Sequence, residues 1–191
     1  TLSKQENQNH KRSVGIGPSL LFLFYIVPEF AEFSYFCRYN AKTKAMKEYL
    51  FEVCANSVES CIAAQAGGAN RVELCAGIPE GGTTPSYGDI VIAREVLQNT
   101  RLHVIIRPRS GDFLYSPIEQ RIMLKDIDNA RRLGADGIVL GCLTADGEVD
   151  ILLMEQFMEA AQDISVTFHR AFDVCRNPQK ALEDIISLGC D

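Results

Sequence analysis

The stretch Phe51–Gly77, FEVCANSVESCIAAQAGGANRVELCAG, carries almost the same motif twice: Glu52-Val53-Cys54 and Glu73-Leu74-Cys75. Between them lie an amphipathic run, Ser57–Ala66, and a joint built on Gly68, Ala69 and Asn70. A short β-rich run, a helix, a glycine joint and a second β-rich run describe one βαβ unit. Two strands separated by a helix-length connection pair in parallel, because a two-residue hairpin cannot join parallel strands.

The pattern repeats toward the C-terminus. Strands read at Leu50–Cys54, Arg71–Cys75, Leu102–Arg107, Gly137–Gly141 and Ile164–His169, with helices at Ser57–Ala66, Asp89–Gln98, Pro117–Leu133, Asp150–Ala161 and Pro178–Leu188. Ser116 ahead of Pro117 and Asn177 ahead of Pro178 are helix-start signals, since a polar side chain caps free N–H groups and proline suits the first helical position. Gly68, Gly134 and Gly189 each close a helix with the left-handed residue that such ends favour. Alternating strands and helices with short joints form right-handed crossovers and a parallel sheet. An open doubly wound sheet would carry a glycine-rich nucleotide loop after its first strand, whereas Cys54 is followed by ANSVES. Polar residues gather instead at the C-terminal ends of several strands, as on the active face of a barrel. The expected fold is therefore α/β, a TIM (β/α)8 barrel-like wall of about five βα units.

Composition narrows the function. The chain has 191 residues, 47% hydrophobic and 23% charged, with a net charge of -6. Such a chain buries a core and offers no basic stripe to nucleic acid, so neither nucleic acid nor membrane is an expected partner. Seven cysteines, an odd and scattered number, read as reduced thiols in a cytoplasmic protein. The run Ser19–Val27, SLLFLFYIV, behind Lys11 and Arg12 has the outline of a signal-peptide core but is too short to span a bilayer. No small-residue cleavage site follows it, and Met46 stands just before the first repeat unit. Residues 1–45 are accordingly expected to be an extension outside the fold, and residues 46–191 the partial barrel.

Strand alternation places Glu52 and Cys54 on one face and Phe51 and Val53 on the other, and pairs Glu73 with Cys75 in the same way. With the apolar parity turned to the helices, both Glu-x-Cys pairs point inward. Strands about 4.8 Å apart then bring two thiols toward one soft ion such as Cu(I), although buried cysteines also pack as plain small hydrophobes. The glutamates call for cations. Arg107 at the end of the third strand either neutralises Glu73 or joins Arg109, with Asp112 beside them, in holding an anion. The fifth strand ends in VTFHRAFD, where His169, Arg170 and Asp173 follow Thr167 at the rim. The loop AGIPEGGTTPSYGD after the second strand reads as a site loop.

Six blocks in order, EVCANSVES, GGANRVELCAG, EGGTTPSYG, IIRPRSGDFLYS, LGADGIVLG and VTFHRAFD, resemble the CutC family of copper homeostasis proteins over about Tyr49–Asp191. The resemblance implies a cytoplasmic TIM-barrel-like protein that binds Cu(I), with Cys54 and Cys75 as the copper ligands. It also implies a polar pocket of Glu52, Glu73, Arg107, Arg109, Asp112, His169, Arg170 and Asp173. A rival expectation is a barrel enzyme acting on a small anionic substrate, phosphate or carboxylate. Glu73, His169 and Asp173 would then be the acid/base candidates, and Arg107, Arg109, Asp112, Arg170 and Glu52 the substrate-binding set. A homo-oligomer is compatible with either. Five units where a barrel has eight further lead us to expect a fragment with open edge strands, prone to self-association.

Overall fold

A computed structural model describes the fold over residues 50–191; the expectation for residues 1–45 lies outside the described residues. Five strands, β1 (Glu52–Ala55), β2 (Arg71–Leu74), β3 (Arg101–Ile105), β4 (Gly137–Leu140) and β5 (Ser165–Phe168), alternate with five α-helices. These are α1 (Val58–Ala66), α2 (Tyr87–Val96), α3 (Pro117–Arg132), α4 (Ile151–Ala161) and α5 (Pro178–Leu188), with short 3-10 turns at Ile78–Glu80 and Arg170–Val174. Every strand pairing is parallel, and the strand order is β1-β2-β3-β4-β5. Each crossover therefore advances by one strand in one direction. A doubly wound sheet reverses its order at a switch point; this sheet does not, and it forms a continuous barrel-type wall.

Helix starts follow from capping chemistry. Ser57, Asp150 and Asn177 each accept from a backbone N–H of the first turn. Ser86 with Asp89, and Ser116 with Glu119, form reciprocal capping boxes that satisfy two otherwise unpaired donors. The first of these moves the start of α2 from the expected Asp89 to Tyr87, because Asp89 is the third residue of the helix and not the first. Asp150 likewise caps α4 from outside it.

One parity of every strand is spent on the helices. Val72 and Leu74 from β2, Leu102 and Val104 from β3, Ile138 and Leu140 from β4, and Val166 from β5 are buried with Met123, Ile127, Met154 and Phe157 in one core. The other parity is left for the concave face: Glu52 and Cys54, Glu73 and Cys75, His103, Val139 and Thr167. On β4 that parity is nearly emptied. A Cβ at Gly137 would lie 2.5–2.8 Å from three ring atoms of His103, and one at the adjoining Gly141 would lie 2.7 Å from Nδ1 of His169. Two glycines four residues apart thus receive two buried histidines from the flanking strands, His103 from β3 and His169 from the end of β5.

Gly137→Ala places a methyl group inside the His103 ring, and close-packed walls relieve such overlap only by moving backbone. We expect a loss of about 1–3 kcal/mol, read as a lower urea midpoint with unchanged slope. An unchanged midpoint would mean that His103 is not held against β4.

Candidate metal and ligand site

The concave face carries a cavity of about 610 Å³, bounded by Glu52, Cys54, Glu73 and Cys75 on one side and by Thr167, His169, Arg170 and Asp173 on the other. Its densest donor group sits where β1 meets β2. Cys54 is the register partner of Glu73, so Cys75, two residues further along β2, lies diagonally ahead of it. The two Sγ atoms are 3.5 Å apart. One ligand atom each from Cys54, Glu73 and Cys75 falls within 4.8 Å of the others. The twin Glu-x-Cys motifs therefore do not place four equivalent ligands: the first glutamate, Glu52, is taken up in an ion pair with Arg71.

The two sulfurs differ in environment. Cys54 is exposed and Cys75 buried. The two sulfurs share a hydrogen bond that either thiol can donate, and this contact holds the Cys54 pKa below its ordinary 9.0 against the opposing effects of burial and the nearby Glu73 and Glu52. Cys75 is driven the other way, first by the same contact with Cys54 and then by burial and the adjacent carboxylate. Burial, reinforced by the Glu52 charge, also raises the pKa of Glu73. Two thiols of unequal acidity and one partly desolvated carboxyl form a donor set that gives up protons when a cation enters.

The arginines and the histidine occupy the rim. Arg107 is buried, and it donates to the carbonyls of Gly82 (2.9 Å), Glu80 (3.2 Å) and Gly111 (2.8 Å) rather than to Glu73. Its guanidinium also lies over the Phe113 ring, 4.9 Å from the centroid. Arg107 thereby ties the loop after β2 to the loop after β3. Arg109 and Asp112 stand together outside the cavity lining: Arg109 pairs with Glu119 (2.5 Å) and Asp112 (3.0 Å), and Asp112 accepts from the Leu114 N–H. Arg170 and Asp173 are both exposed, and both line the cavity. His169 is buried, and its Nδ1 accepts from the Ala171 N–H at 3.3 Å. Burial, aided by the Arg107 charge, pushes its pKa down to about 3, so its imidazole is neutral near pH 7.

His103 is the residue that the motif reading passed over. It shares the concave parity of Glu73, its register partner, and burial pushes its pKa down to about 4. Strand parity alone would have placed it inside; attention to strand ends left it out.

The geometry defines a parallel (β/α) barrel-wall protein with a soft-donor cluster and a basic rim in one concave cavity. The chain belongs to the CutC family, whose model matches residues 49–191. It is 75% identical over 146 residues to a CutC family protein of Bacteroides thetaiotaomicron, covering 76% of this chain and 59% of the relative. With a CutC family protein of Chromobacterium violaceum it shares 57% identity over 141 residues, 74% of this chain and 57% of the relative. The chain thus spans less than two thirds of the length of these relatives. The crystal structure of CutC from Streptococcus agalactiae superposes with a TM-score of 0.71 at 38% identity, covering 75% of this chain and 70% of that one. Among the described residues no helix is long and apolar enough to cross a membrane.

Iodoacetamide at limiting concentration should alkylate Cys54 ahead of Cys61, Cys75 and Cys142, with a pH midpoint below 9.0. Cys75→Ala removes the Cys75 side of that hydrogen bond and should raise that midpoint, while Cys75→Ser, which keeps a hydroxyl there, should raise it less. A midpoint indifferent to both substitutions would remove the Cys75 hydrogen bond as its cause.

Proposed function

We propose that the chain takes part in copper homeostasis by holding Cu(I) between Cys54 and Cys75, with the Glu73 carboxyl as a third donor. The observation that carries this reading is the 3.5 Å approach of the two sulfurs, brought from adjacent strands to one point of an open cavity. Thiolates are the preferred ligands of soft monovalent copper, and a hard cation such as Mg2+ would call for an oxygen set that this site lacks. The Streptococcus agalactiae relative is named for copper homeostasis, which supports the same assignment.

Proton chemistry fits loading and release. Binding replaces the Cys75 proton, and with it the hydrogen bond that lowers the Cys54 pKa, by a shared cation. Affinity should therefore rise with pH across the thiol range. Exposure of Cys54 provides an entry point for exchange with a carrier thiol, and the buried Cys75 completes the site from beneath. Such a site works only while both sulfurs stay reduced, which fits a reducing, cytoplasmic setting.

Titration of the reduced chain with Cu(I) against a competing chelator tests the reading. The unmodified protein should bind one ion tightly, Cys54→Ser/Cys75→Ser should lose at least about 100-fold in affinity, comparable to or larger than losses on removing outer-shell support, and Glu73→Gln should lose less. Equal affinity in the double variant would take both cysteines out of the account.

A further inference from the structure

The cavity is divided by charge along the strand direction. Glu52 opens β1, and the Asp191 N–H donates to the carbonyl of Val166 near the start of β5, so both carboxylates lie toward the N-terminal ends of the strands. Arg107, His169 and Arg170 follow the C-terminal ends of β3 and β5. The one carboxylate that shares this rim and lines the cavity there is Asp173, and among the described residues it makes no ion pair with Arg170. No described carboxylate lies within salt-bridge range of Arg170 at all, although nine other ion pairs form across the fold.

Two features of this rim lack a partner among the described residues. The first is a donor. Because Nδ1 of His169 accepts from the Ala171 N–H, the proton of the neutral ring resides on Nε2, and that buried N–H has no acceptor. The hydroxyl of Thr167, two residues back on the same face, is buried and unpartnered as well. A buried donor without an acceptor is destabilising, and native folds keep few of them without a reason such as a ligand. The second feature is a convergence of cations. The NH1 atoms of Arg107 and Arg170 each lie 3.2 Å from the point where a Cβ of Gly81 would stand. Gly81 adopts φ +89, a left-handed conformation that glycine tolerates and that leaves this space clear. Arg107 is compensated by three carbonyls; among the described residues Arg170 has no such partner.

We propose that the C-terminal rim of the cavity is a binding subsite for a small oxyanion, a phosphate or carboxylate group, separate from the cysteine cluster. Arg170 supplies the charge, and the Nε2–H of His169 and the hydroxyl of Thr167 supply hydrogen bonds. The neutral state of His169 makes it a donor to the ligand and not a proton shuttle. Arg107 positions the rim: it fixes the two loops between which the anion enters, and its charge adds to the field there. The subsite does not depend on copper binding, since none of its three ligand-contacting residues belongs to the Cys54, Glu73, Cys75 cluster.

The test uses inorganic phosphate as the probe and malonate as the carboxylate arm, each titrated into the 191-residue chain at constant ionic strength with chloride as control, followed by calorimetry and by thermal shift. Saturable binding of phosphate or malonate is expected, and whichever saturates at the lower concentration identifies the preferred group. Arg170→Gln, an exposed position whose loss leaves the fold intact by circular dichroism, should weaken binding by about 10-fold. His169→Phe, which keeps a ring against Phe113 but removes the donor, should weaken it by a smaller factor. Cys54→Ser/Cys75→Ser should bind the anion as the unmodified chain does, which separates failure of this proposal from failure of the copper reading. A response that is absent for both probes, shared by chloride, or unchanged in Arg170→Gln overturns the subsite.

Discussion

Everything in this site follows from one constraint of parallel strands under helices. Successive side chains point to opposite faces, and the helix-facing parity must be apolar because it forms the only core the wall has. Chemistry is confined to the other parity. Val72 and Leu74 are buried against the helices, so Glu73 and Cys75 face the cavity. The same rule carries Cys54 and Thr167 inward, and the register of β1 on β2 then decides that Cys54 meets Cys75 diagonally rather than side by side.

The cost of a polar concave face is met locally. Glu52 is matched by Arg71, Arg107 by backbone carbonyls, and Arg109 by Asp112 and Glu119. Among the described residues Glu73 has no ion-pair partner, and burial raises its pKa. The two histidines are kept neutral by burial, and Gly137 of β4 and Gly141 just after it leave room for their rings. The thiol pair, the Glu73 carboxyl, the imidazole N–H of His169, the Thr167 hydroxyl and the Arg170 guanidinium are brought together on the cavity wall. Unspent polar groups in a concave place are what a ligand site consists of.

Much of this was legible in the residues before any coordinates. The twin Glu-x-Cys runs, the helix caps at Ser116 and Asn177 and the glycine stops at Gly68, Gly134 and Gly189 gave the element order, because each rests on local chemistry that tertiary contacts reinforce. Cys54, Glu73 and Cys75 came together as parity implied. Arginine roles were less legible: a guanidinium reaches far, and nothing local distinguishes an anion ligand from a loop clamp such as Arg107. The Ser86–Asp89 capping box was hidden inside a Gly- and Pro-rich loop. His103 escaped notice because its significance lies in Gly137, on the next strand, and only the register brings the two together.

The central claim is that two sulfurs from adjacent strands bind one soft ion. X-ray absorption at the copper edge of the Cu(I)-loaded, reduced chain tests it most directly. The account predicts a first shell containing two sulfur neighbours, both lost in Cys54→Ser/Cys75→Ser; a shell of nitrogen and oxygen alone, or a sulfur shell unchanged in that variant, would contradict it.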